Sequence, residues 1–72
     1  MITAQQAESL KVGDVLLHAT RVDRRGRPVT ATVNGRVRLW PRSPVRFEIP
    51  VTVYTQNCVR INETNSEDWR IP

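Results

Sequence analysis

Val45-Arg46-Phe47-Glu48-Ile49-Pro50-Val51-Thr52-Val53-Tyr54 alternates apolar and polar side chains along its whole length, and this stretch decides the fold. A period of two puts Val45, Phe47, Ile49, Val51 and Val53 on one face of a strand and leaves Arg46, Glu48, Thr52 and Tyr54 on the other. Pro50 has no N–H to give to a ladder. A strand through it must therefore lie on an edge at that point or bend at a bulge.

Working toward the N-terminus, Pro41-Arg42-Ser43-Pro44 reads as a rigid connector. Before it, Val29, Ala31 and Val33 alternate with Thr30, Thr32 and Asn34, a strand opened by Pro28. Asn34-Gly35 is the residue pair preferred in two-residue type I′ hairpins, so it predicts a reversal into a short third strand. That strand carries Val37 and Leu39 inward and ends at Trp40-Pro41. Val15 to Val22 is the first strand, with Leu16 beside Leu17 leaving its inward parity open, and Arg24-Arg25-Gly26-Arg27 turns the chain after it. Thr3 and Gln6 have capping-box spacing, which predicts a two-turn helix over Ala4 to Leu10. It stops before Val12-Gly13-Asp14, where glycine permits a positive φ.

On the C-terminal side, Thr55-Gln56-Asn57 reads as a turn and Cys58 to Asn62 as a fifth strand with Val59 and Ile61 inward. Asn65 has the character of a cap for a short turn through Ser66-Glu67-Asp68 that returns Trp69 and Ile71 to the core. The sum is a mainly β chain: a small antiparallel barrel or rolled sheet of five to six strands with a short N-terminal helix. Residues 1–72 form a single domain, too small for a second core.

The charge is placed unevenly. Between Arg21 and Arg46 lie eight arginines and one acid, Asp23, a local charge of +7 in a chain whose net charge is +4. Arginine supplies ten of the eleven basic residues; GC-rich codon usage can favour Arg over Lys, but it does not account for the clustering. If Val37 and Leu39 face inward, Arg36, Arg38 and Trp40 face outward in one row, and Arg46 joins them from the next strand. Guanidinium forks suit phosphates and carboxylates, and an indole offers a plane for a base. Arg24, Arg25 and Arg27 extend the field as a mobile clamp at a hairpin tip. The expected function is a nucleic-acid-binding module using Arg24, Arg25, Arg27, Arg36, Arg38, an exposed Trp40 and Arg46. The competing expectation is a protein-interaction module whose same face docks an acidic protein surface, since Arg and Trp are common hot-spot residues. Trp40-Pro41 sealing one end of the barrel, under arginine stems, is the purely structural reading.

Catalytic chemistry is not expected. His18 has no partners in its strand, and Cys58 reads as a packed small side chain. Glu63, Glu67 and Asp68 read as a solvated turn or a counter-charge to the arginines. Gly13, Gly26 and Gly35 fall at turns without phosphate-loop spacing. One cysteine allows no intrachain disulfide, and no Cys/His cluster offers a zinc site. No cofactor and no metal are expected. The N-terminus lacks a basic start and an apolar run, and no stretch approaches the roughly 20 apolar residues of a membrane helix. A cytoplasmic protein with no membrane partner is expected. The Val45 to Tyr54 strand, if it lay on an edge, would invite pairing with a second copy, but Pro50 interrupts such a ladder, and a monomer is expected.

Two resemblances add to this reading. Leu10-Lys11-Val12-Gly13-Asp14-Val15 resembles the turn that opens the first strand of SH3-like barrels, including KOW-type ribosomal and transcription-factor modules, which implies an SH3-like barrel. Val33 to Trp40, Arg42-Ser43-Pro44 and Ile49-Pro50-Val51 are similar to small uncharacterised proteins of tailed phages. That likeness implies a phage or prophage origin, hence a bacterial or phage-infected cell and, on the protein-interaction reading, a host protein as the acidic partner. It carries no activity with it.

Overall fold

The computed structural model describes residues 2–43 and 45–72. Its elements are helix α1 (Ala4–Glu8) and strands β1 (Val15–Val22), β2 (Pro28–Val33), β3 (Arg38–Leu39), β4 (Phe47–Val53), β5 (Gln56–Asn62) and β6 (Trp69–Arg70), with a 3-10 turn at Ser66–Asp68 before β6. The strands make one antiparallel sheet curled into a half-barrel around a single apolar cluster. Its order is β5-β4-β2-β1-β6, with β3 also paired to β4. Phe47, Ile49 and Val51 are buried on the inner face, against Val29, Ala31 and Val33 of β2, Leu16 of β1, Ile61 of β5 and Trp69 of β6. The open question in β1 is thereby answered: Leu16 is buried and Leu17 half-buried on the outer parity.

β4 is the centre of the sheet rather than an edge. β5 pairs with one side of it, and β2 and β3 pair end to end along the other. A second copy of the chain therefore has no free edge of β4 to add to. Thr32↔Thr52 and Val33↔Val51 follow one register, whereas Arg38↔Glu48 and Leu39↔Phe47 follow another. Between them the four residues Asn34 to Val37 stand opposite only Ile49 and Pro50, a two-residue offset.

This overturns the hairpin expected at Asn34-Gly35. β2 and β3 run in the same direction along one partner, and neither Asn34 nor Gly35 takes a positive φ. The physical reason is Pro50. Its carbonyl accepts from the Asn34 N–H at 3.0 Å, and its nitrogen, which has no hydrogen, faces the same side of the strand. The missing donor thus falls where the chain is already displaced, and Pro50 bends the ladder at a bulge, one of the two sites open to it. Gly35 is small for the same reason. A Cβ there would come within 3.1 Å of the Pro50 ring.

β1 carries a second irregularity. Leu17↔Thr30 is followed by Val22↔Pro28, so His18 to Arg21 bulge out opposite Val29. His18 Nδ1 accepts from the N–H groups of Thr20 and Arg21 at 3.2 and 2.9 Å, and the ring meets Trp69 edge-on at 4.9 Å. The lone histidine is a clamp on the bulge and a wall of the core, in line with a strand residue whose hydrogen bonds are satisfied.

The remaining elements follow local rules. Thr3 and Gln6 close a reciprocal capping box, but α1 ends at Glu8, earlier than Leu10, with the Ser9 N–H and hydroxyl turning back onto its last carbonyls. Gly13 takes φ +97° at the turn into β1, as its sequence context predicts. Asn65 does not cap the 3-10 turn. Its side chain accepts from the Asn62 N–H and donates to the Arg60 carbonyl, fastening the end of β5.

Three apolar side chains expected inside are not. Val45 is 71% exposed because β4 begins only at Phe47, so the period of two does not reach back to it. Leu39 shares the Phe47 face but lies at the end of the sheet, beside the short α1, and stays 40% exposed. Ile71 follows a strand of only two residues and is likewise exposed. Cys58, expected to be packed, is exposed, since Val59 and Ile61 take the inward positions of β5.

Two variants check this account. Phe47→Ala removes a buried ring from the inner face of the central strand and should cost about 3–5 kcal/mol, comparable to the whole stability of a domain this small. Circular dichroism should then find it largely unfolded. His18→Phe keeps the contact with Trp69 and removes the acceptor. It should cost about 1 kcal/mol, read as a lower Tm with faster hydrogen exchange at the Thr20 and Arg21 amides.

Candidate functional site

The connection from β3 to β4 is a tight, hydrogen-bonded one. Trp40 N–H donates to the Arg46 carbonyl at 3.3 Å, Ser43 N–H to the Trp40 carbonyl at 3.0 Å, and Arg46 N–H to the Ser43 carbonyl at 2.8 Å. The β3–β4 register thus continues one step past the strands and sets Trp40 opposite Arg46. Arg38 lies two residues before Trp40, on the same face.

These three residues meet. The Arg46 guanidinium carbon lies 4.5 Å from the centroid of the Trp40 ring and that of Arg38 lies 5.0 Å from it. Each such contact is worth about 0.5–1 kcal/mol at an exposed position. Trp40 is half-buried rather than fully exposed, because the ring carries two guanidiniums and lines a shallow depression with Leu39, Pro41 and residues of α1. Its volume is about 280 Å³. Glu8 of α1 lines it too, without forming an ion pair.

What the arginines do not touch matters as much. Among the described residues the one ion pair is Arg60–Glu48, at 2.9 Å. Glu48 stands directly across the ladder from Arg38, yet its carboxylate is taken by Arg60, which reaches over from β5. Arg38 and Arg46 are therefore left with the indole and no carboxylate. Two cations held on one ring without an ion-pair partner create a local positive potential, offset in part by Glu8 of the same depression, that favours an anion.

The other arginines of the expected face do not join this group. Arg36 lines a separate depression of about 410 Å³ with Glu8, Leu10, Lys11, Val12 and Val37. Arg24 and Arg25 sit at the β1–β2 tip and, with Asp23 and Tyr54, line a third depression. The tip is a hydrogen-bonded turn: Asp23 Oδ1 accepts from the N–H groups of Arg25 and Arg27 at 2.8 and 3.0 Å, and Gly26 takes φ +76°. Arg27 contributes its backbone to that turn, and its side chain is exposed. The row expected of Arg36, Arg38, Trp40 and Arg46 is thus broken at Arg36, and the hairpin tip expected to extend its field lies apart from it. One group lies where β4 begins, another where it ends, and Arg36 stands apart on the displaced segment between β2 and β3.

Two residues near these arginines were missed in the sequence. Lys11 shares a depression with Arg36 because the turn before β1 is hydrogen-bonded to the end of β2, Gly13 N–H to the Val33 carbonyl and Val33 N–H to the Asp14 carbonyl. Tyr54 shares a depression with Arg24 and Arg25 because the β1–β2 and β4–β5 turns lie at the same end of the sheet. Neither follows from sequence spacing.

The acidic residues are structural where they are engaged. Glu63 Oε2 accepts from the Phe47 N–H at 3.3 Å, and Asp14 Oδ2 accepts from the Lys11 N–H at 2.9 Å. Among the described residues no three His, Cys, Asp or Glu side chains gather as a metal site would require, and no helix is long and apolar enough to cross a membrane. No family model, curated protein or solved structure matches the chain.

Proposed function

We propose that this protein is a nucleic-acid-binding module whose Arg38–Trp40–Arg46 group holds the phosphate backbone. The observation that carries the reading is the pair of guanidiniums on one indole with no carboxylate partner among the described residues. An arginine that is already oriented loses less conformational freedom when it binds. Trp40 therefore acts first as an organiser. With two cations over its ring, a base stacks there only by displacing one of them, so the group favours phosphate over base. Arg36 with Lys11 adds positive charge on the displaced segment.

Binding of this kind has a measurable salt signature. With about four phosphates neutralised, the log–log slope of affinity against salt should be near −3 to −4, for single- and double-stranded oligonucleotides alike. Arg38→Ala with Arg46→Ala should reduce that slope by about two units. The fold should survive, because surface substitutions of this type change stability by about 0.5 kcal/mol each, with about 0.5–1 kcal/mol more for each lost cation–π contact. Fluorescence anisotropy at two salt concentrations, with thermal denaturation alongside, measures both. No binding at micromolar protein and low salt would overturn the reading and leave an acidic protein surface as the ligand for these arginines.

A further inference from the structure

Tyr54 stands out on backbone grounds. Its φ is +54°, and among the described residues it is the one non-glycine with a positive value. It occupies the two-residue turn between β4 and β5, where Val53 pairs with Gln56, and 72% of its surface is exposed. A bulky residue in the left-handed region is strained, and glycine would fit the turn without that strain. The ring is not repaid by burial. Strain of this type persists chiefly where a functional contact uses it.

The surroundings name the contact. Tyr54 lines an open depression of about 420 Å³ with Asp23, Arg24 and Arg25 from the neighbouring hairpin. Asp23 brings one negative charge against two guanidiniums, so it offsets them only in part. An exposed phenol ring beside two arginines is the combination that stacks an unpaired base while its phosphate is held. A duplex keeps its bases stacked internally and offers no free face to such a ring.

We infer that Tyr54, Arg24 and Arg25 form a second subsite, for a base and phosphate of a single-stranded nucleic acid. This rests on the reading of the Arg38–Trp40–Arg46 group as its phosphate site. The two lie at opposite ends of β4, about 25 Å apart for the eight residues from Arg46 to Tyr54 at the usual rise of a strand. A single strand stacked at about 3.4 Å per nucleotide covers that span with about seven nucleotides. Engaging both ends at once raises affinity through effective concentration, so (dT)12 should bind far more tightly than (dT)4.

The test uses fluorescein-labelled (dT)4 and (dT)12 with Tyr54→Gly, Tyr54→Phe, and the pair Arg24→Ala/Arg25→Ala. Tyr54→Gly should raise Tm by a few degrees, as strain is released, while weakening (dT)12 about tenfold, the effect of losing one stacked base. The gain of (dT)12 over (dT)4 should shrink with it. Tyr54→Phe should retain wild-type affinity. If the wild type binds (dT)12 and Tyr54→Gly binds it equally well, this subsite is overturned and the Arg38–Trp40–Arg46 reading stands. If Tyr54→Gly loses affinity while Arg38→Ala with Arg46→Ala does not, Tyr54 stands as a single-strand contact on its own, and the Arg38–Trp40–Arg46 reading and the two-subsite span fall. Should Tyr54→Gly lower Tm, the Arg24→Ala/Arg25→Ala pair decides: unchanged affinity overturns the subsite, and a loss of about tenfold or more upholds it. No binding of (dT)12 by the wild type overturns both.

Discussion

Everything in this fold turns on how β4 is paired. It is the strand with the richest apolar face, so burying Phe47, Ile49 and Val51 requires partners on both sides of it. Yet it carries a proline, which cannot give the N–H that a regular ladder on one side demands. The conflict is resolved by splitting the partner. β2 and β3 pair with β4 in two registers, and the interruption between them coincides with Pro50. Hydrophobic burial sets the position of the strand, and backbone hydrogen bonding sets where its neighbour must break.

The same arrangement governs the arginines. The second register brings Trp40 opposite Arg46 and Arg38 opposite Glu48. Glu48 would be the natural counter-ion of Arg38, but Arg60 on the far side of β4 takes its carboxylate. A surface ion pair of this kind adds little to stability, typically 0–1 kcal/mol. Its larger effect is on chemistry, since it removes the acid that would otherwise quench the cation beside Trp40. Charge and packing are linked here through one strand with partners on both edges.

Much of this was legible in the sequence. The period of two located all the long strands and the capping box located α1, while the parity of Val37 and Leu39 put Arg38, Trp40 and Arg46 on one side but wrongly set Arg36 in the same row. Pro50 announced a bulge or an edge, and a bulge is what it has. Other features depend on non-local partners and left no local trace. Asn34-Gly35 has the composition of a hairpin turn, but the fold uses its glycine for a close approach to Pro50. Tyr54 looked like one more outward strand residue, whereas the chain turns at it. The division of the arginines between two ends of the sheet could not be read from their order, because only the pairing of distant strands decides which of them meet.

The displaced segment Asn34 to Val37 also constrains how this chain can change in length. Its surplus over the partner strand is two residues, an even number. Deleting one residue there would rotate everything that follows by half a pleat, sending Arg38 and Trp40 toward the interior and Val37 and Leu39 outward. Deleting two would restore the original facing but leave Pro50 opposite a ladder position that expects a donor. Length variation is thus closed off in the displaced segment between β2 and β3, where loops would ordinarily tolerate it, and the exposed turn at Arg24 to Gly26 is left as the freer place for insertions.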